Sequence, residues 1–231
     1  MGASASEQQA TTMHAVLIFE WPVRLWHWLT AISIVVLTVT GYYIGQPFMP
    51  NMPGEATAQF FMGYMRFAHF AAGYVLAVLF LGRVYWAIVG NEYARELFFP
   101  PLFKVATWKD VWFRVKYYLF IEKDAPPSAG PNGLEVVSAF FMFTIPTIFV
   151  ILTGFALYAE GTGQNSWQAS AFGWVRHLFG DSQALHTWHH IAMWVLIIYV
   201  IIHVYLCIRQ DIMSRQSYLS TMISGMRMFK D

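Results

Sequence analysis

Four stretches of this chain, near residues 24 to 45, 65 to 89, 134 to 158 and 185 to 208, are long and apolar enough to cross a hydrocarbon layer of roughly 30 Å. In hydrocarbon a backbone must satisfy its own N–H and C=O groups, so each stretch is predicted to be a helix. Composition agrees: 57% of the 231 residues are hydrophobic and 12% charged, too oily for a water-soluble domain of this length. Turn-rich segments separate the stretches, PFMPNMPGE after the first, DAPPSAGPNG before the third and GTGQNS after it. The predicted fold is an all-α membrane protein, a four-transmembrane-helix bundle over residues 16–214, with a polar tail at 1–15 and a C-terminal tail at 215–231.

Orientation follows from the basic residues. With the N-terminus inside, twelve of the fourteen lysines and arginines fall on the inner side, and only Arg66 and Arg176 lie outside. Both termini are therefore expected in the cytoplasm. The inner loop carries KVATWKDVWFRVKYYLF, with Val105, Trp108, Val111, Trp112, Val115 and Leu119 on one helical face and charges on the other, which predicts an interfacial amphipathic helix. Trp167–Phe179 is a shorter amphipathic stretch on the outer side, suited to lipid or to a partner subunit. Net charge is close to zero, so no basic face points to nucleic acid. The single cysteine, Cys207, excludes an internal disulfide, an iron–sulfur cluster and a CxxCH haem attachment. Residues 1–15 lack an apolar core, so no cleavable signal is expected; MGASAS matches the myristoylation pattern, which adds little to a chain that spans the bilayer.

Inside this apolar frame sit histidines, which are costly in hydrocarbon and mark pathways or sites. On the fourth span His189 lies fourteen residues before His203, about 40° away in helical phase and about 21 Å along the axis. His186 and His190 point elsewhere. His27 opens the first span at the inner level and His69 opens the second at the outer level, so depth pairs His69 with His189 and His27 with His203. Fourteen residues after His27 comes Gly41, bare backbone at the outer level where a planar group needs room. Fourteen after His69 comes Arg83, a cation at the inner level, and Arg66 stands one turn before His69. GYYIG, Gly41 to Gly45, also fits the GxxxG helix-packing pattern. Two bis-histidine haems, one per pair, with a neighbouring cation for the propionates of each, account for these features together. Imidazole on both axial positions leaves electron transfer as the chemistry. His186, His190 and His177, at the outer interface, are better suited to solvent or propionate contact than to axial ligation.

FEWPVRLWHW, VTGYYIG, GYMRFAHFAAGY, RVYWAIVGN, LTGFALYAE, HTWHHIAMW and HVYLCIRQDIMS resemble, across nearly the whole chain, the b-type cytochrome subunit of membrane-bound uptake [NiFe]-hydrogenases, relatives of the formate dehydrogenase cytochrome subunit. The resemblance implies a four-helix cytochrome with two haem b, the outer held by His69 and His189 and the inner by His27 and His203. It implies a bacterial inner-membrane location and a periplasmic partner, the hydrogenase small subunit with its iron–sulfur clusters, joined to the nickel–iron large subunit. The implied function is electron transfer from that small subunit through both haems to quinone near the cytoplasmic surface, where His203, Arg24, Arg83 and Asp211 lie at a suitable depth. Two other readings stand beside it. One keeps the fold and changes the partner, to a formate dehydrogenase or thiosulfate reductase, or makes the chain a free-standing quinol oxidase. The other is a non-redox metal-binding transporter or anchor, which the lack of an inverted repeat or broken helix makes less attractive.

Overall fold

The computed structural model describes residues 13–47, 60–123, 131–163, 165–214 and 218–230. The myristoylation pattern and much of two turn-rich connections lie outside these residues.

Four long helices form the frame: α1 (Trp21–Gly45), α2 (Phe61–Val89), a third made of α5 (Gly133–Ala139), a π-helical turn (Phe140–Thr144) and α6 (Ile145–Thr162), and α8 (Ser182–Ser214). Each is long and apolar enough to cross a membrane. Between them lie α3 (Glu92–Arg95), α4 (Val105–Tyr118) and α7 (Trp167–Phe179), and α9 (Tyr218–Ser224) follows α8. The spans extend beyond the sequence limits: α8 begins three residues earlier and runs six residues further than the apolar stretch that predicts it.

Burial in the spans is inside out relative to a water-soluble protein. Thr30, Ser33, Thr40, Thr147 and Thr153 are buried, while Ile32, Val35, Val78, Leu81 and Ile201 stand largely exposed. Such a surface is stable against lipid and an aggregation hazard in water. Three of the buried hydroxyls are satisfied locally: Ser33, Thr40 and Thr153 each donate to the carbonyl four residues back, at 2.8, 2.6 and 2.7 Å, while Thr30 and Thr147 Oγ1 have no hydrogen-bond partner among the described residues.

Local chemistry explains the ends and the irregular turn. Pro22 sits in the first turn of α1, where its missing N–H is not needed. Glu20, just before it, accepts from Trp86 Nε1 at 2.9 Å and from the Asn91 backbone N–H at 3.3 Å, tying the start of α1 to the end of α2. An Asn132–Glu135 capping box opens α5, and Asp110 of α4 accepts from the Gly133 N–H at 2.7 Å. Pro146 cannot donate to the turn before it, and the helix widens there, with the Ile145 N–H reaching back to the Phe140 carbonyl.

Helix α1 packs on α2, and α6 packs on both α7 and α8. One feature escaped the sequence. The short strands β1 (Met13–Leu17) and β2 (Met226–Lys230) pair antiparallel, Met13 opposite Lys230 and Leu17 opposite Met226. They join the two ends of the chain beside the start of α1. Helix α4 covers most of the segment read as amphipathic; Val105, Trp108, Trp112 and Leu119 are exposed, Val111 and Val115 are half-buried, and Thr107, Arg114 and Tyr117 are turned inward.

Candidate cofactor sites

A cavity of about 590 Å³ opens between α1, α2, α6 and α8, and His69 and His189 both line it, with Arg66, His186 and His190 also on its walls. Its size suits a cofactor-sized ligand. Two threonines set the imidazoles. His69 Nδ1 lies 3.0 Å from Thr40 Oγ1, and His189 Nδ1 lies 2.7 Å from Thr153 Oγ1. Both hydroxyl protons are already given to carbonyls, of Val36 and Phe149. Each threonine oxygen is then an acceptor, each Nδ1 carries the proton, and each Nε2 is left with a free lone pair.

Glycines make the room. A Cβ on Gly41 would stand 3.0 Å from His69 Cε1, and one on Gly154 would stand 3.4 Å from His189 Cε1. A Cβ on Gly45 would come within 2.7 Å of His190 Cε1. In GYYIG the two glycines thus clear imidazoles from α2 and α8.

At the other end of the bundle the ring centres of His27 and His203 lie 6.4 Å apart, their planes at 53°. Two imidazoles that share one metal, each nitrogen about 2 Å from it, have ring centres about 6 Å apart. Tyr199 stacks on His203 at 5.6 Å. Phe143, carried by the π-helical turn, meets Tyr199 at 5.7 Å and the edge of Trp26 at 6.1 Å. Arg83 is 4% exposed. Its guanidinium lies over Trp26 at 5.3 Å and Phe98 at 5.7 Å, and its Nε and Nη1 have no hydrogen-bond partner among the described residues. A buried cation with free donors suits a carboxylate that the protein itself does not supply.

Other polar side chains at this end are engaged within the chain. Arg24 donates to the Ile223 carbonyl and Trp28 Nε1 to the Met222 carbonyl at 3.2 Å, so both hold the end of α9. Asp211 accepts the Leu219 N–H at 3.0 Å. Arg209 lies over the rings of Tyr117, Tyr118 and Phe120 at 4.7 to 4.9 Å. Among the described residues no three His, Cys, Asp or Glu side chains converge as a metal-ion site; the histidines come as pairs.

Residues 18–225 match the family model described as prokaryotic cytochrome b561. The chain belongs to that family. Within a cytochrome family, four apolar helices of spanning length make this a multi-pass membrane protein. A protein of Azotobacter vinelandii named probable Ni/Fe-hydrogenase B-type cytochrome subunit is 56% identical over 225 residues, covering 97% of this chain and 93% of that protein. Its namesake in Rhizobium leguminosarum bv. viciae is 48% identical over 231 residues, covering 100% and 96%. The probable Ni/Fe-hydrogenase 1 B-type cytochrome subunit of Escherichia coli (strain K12) is 42% identical over 228 residues, covering 97% and 95%.

For a b561-family chain the residues fit the cofactor that the family name implies: paired imidazoles, a cavity cleared of side chains by glycine, and buried or cavity-lining arginines. Thr40, Thr153 and Gly154 escaped the sequence reading. Their signal was the dipeptide Thr–Gly, present in both VTGYYIG and LTGFALYAE.

Proposed function

We propose that this chain is the membrane electron-transfer subunit of a hydrogen-oxidising complex. It receives electrons from the iron–sulfur small subunit of a periplasmic [NiFe]-hydrogenase, passes them through two haem b to quinone, and anchors the hydrogenase to the bacterial cytoplasmic membrane. The observation that carries this reading is the pair of histidine pairs at the two ends of one bundle, in a chain alike over nearly its whole length to proteins named as hydrogenase cytochrome subunits.

His69 and His189 would hold the outer haem and His27 and His203 the inner one. Held by two imidazoles each, the groups would supply one-electron transfer and no chemistry on a bound substrate. The residues of the chain supply position and charge. Thr40 and Thr153 present Nε2 of the outer pair to the cavity. Arg66 on the cavity wall and Arg83 beside Trp26 offer cations to the carboxylates of the outer and inner groups. The exposed apolar flanks of the spans keep the site in lipid and away from water. The lysine and arginine asymmetry of twelve against two supports a cytoplasmic position for the termini, α4 and the His27–His203 end. Quinone reduction is then expected at that end, with the electron entry point opposite.

His203→Ala tests this reading. It removes an inner ligand and leaves the outer pair and the docking side intact. Hydrogen oxidation with an artificial dye should survive, because a dye takes electrons from the hydrogenase directly. Quinone reduction should fall sharply, since about 21 Å of helix separates the two ligand levels with no redox centre between them. Near-normal quinone reduction in membranes shown to lack the inner haem would place the quinone by His69 and His189 and end the transmembrane path.

A further inference from the structure

We infer that the two Thr–Gly dipeptides, Thr40–Gly41 on α1 and Thr153–Gly154 on α6, are equivalent imidazole seats that fix His69 and His189 as Nε2 ligands and lower the reduction potential of the outer haem. The inference rests on the haem reading above and deepens it by naming positioning residues that touch neither metal nor quinone.

Both seats have the same three parts. The threonine hydroxyl donates to the carbonyl four residues back, at 2.6 Å from Thr40 and 2.7 Å from Thr153. Its oxygen faces Nδ1 of the histidine, at 3.0 and 2.7 Å. The glycine that follows leaves the space against Cε1 of the same ring, where a Cβ would stand at 3.0 or 3.4 Å. Thr40 is 5% exposed and Thr153 is fully buried, so no water competes for these bonds. The two histidines come from α2 and α8 and the seats from α1 and α6, so each seat also locks one helix of the bundle to another.

The inner pair has no such seat. Nδ1 of His27 has no partner among the described residues. His203 meets the Cys207 thiol, at 3.9 Å from Nδ1 and 3.7 Å from Nε2, and sulfur is a weak acceptor. The difference has a chemical consequence. An acceptor on Nδ1–H raises the basicity of the ligating nitrogen, which stabilises the oxidised iron and lowers the potential. The outer level has two such acceptors and the inner level none of equal strength, an ordering that favours electron flow inward.

The test is a spectroscopic redox titration of the intact hydrogenase–cytochrome complex carrying Thr40→Val, Thr153→Val, both together, or the serine replacements. Each valine variant keeps the shape and deletes the acceptor. The outer haem's midpoint should rise in each, rise further in the double variant, and return to the wild-type value with Thr40→Ser and Thr153→Ser, while the inner haem's midpoint stays put. Loss of the outer haem from a valine variant with retention in the serine variant supports the seat equally. An unmoved midpoint in the double valine variant with the haem bound overturns the inference, as does loss of the haem from both valine and serine variants. A wild-type complex with no haem at the His69 level would instead refute the haem reading itself, before any variant is compared.

Discussion

A hydroxyl buried in hydrocarbon needs an acceptor, and Thr40 and Thr153 find theirs one helical turn back, on the Val36 and Phe149 carbonyls. That local bond frees the oxygen to face a histidine, so an ordinary membrane threonine becomes an orienting group. Space is as tightly set as charge. Gly41→Val would push its side chain into the His69 ring, from a Cβ position already 3.0 Å from Cε1, and overpacking of this kind costs about 1–3 kcal/mol. The expected outcome is loss of the outer haem with the inner one kept, measured as a halved haem content in purified complex. His186→Ala and His190→Ala should retain both haems, because the first ring bonds the Ser182 carbonyl at 2.8 Å and the second packs against Gly45. At this scale helical phase and depth, which are arithmetic on residue numbers, are enough to suggest the histidine pairs. The threonines went unread: the Thr–Gly dipeptide occurs in both segments, but a Thr in an apolar run does not by itself show whether its oxygen is used.

The elements follow from length, hydropathy and a few strong local residues. Four spans could be read directly, and Pro146 accounts for the widened turn that brings Phe143 beside Trp26 and Tyr199. The β1–β2 pairing could not be read. Its strands are five residues each and come from opposite ends of the chain, so nothing in either marks the other as a partner. Arg24 and Trp28 belong to this same structure: both donate to carbonyls at the end of α9, where a cation also meets the negative end of the helix dipole. Arg24→Ala should weaken the docking of the C-terminal segment by on the order of 1–3 kcal/mol. Faster clipping of that segment by a protease added to the side on which it lies, with haem content unchanged, is the expected result; a fall in inner haem would instead make Arg24 part of the redox site.

Across the whole molecule the two histidine pairs occupy opposite ends of a bundle whose lysines and arginines are strongly one-sided, twelve against two. A reporter fused after Asp231 should be active only if it works in the cytoplasm, and one inserted near Gly161 only if it works outside; the reverse pattern would put the quinone end on the hydrogenase side. The pairing rests on a likeness of depth, beside which the structure sets a cavity lined by His69 and His189 at one level and a 6.4 Å ring separation between His27 and His203 at the other. The most direct measurement is haem content per chain in the purified complex, compared among the wild type, His69→Ala and His203→Ala. The expected result is two haems in the wild type and a single one in each variant, the outer lost from the first and the inner from the second. A wild type with fewer than two haems, or either variant that keeps both, would contradict the assignment of His69 with His189 and of His27 with His203.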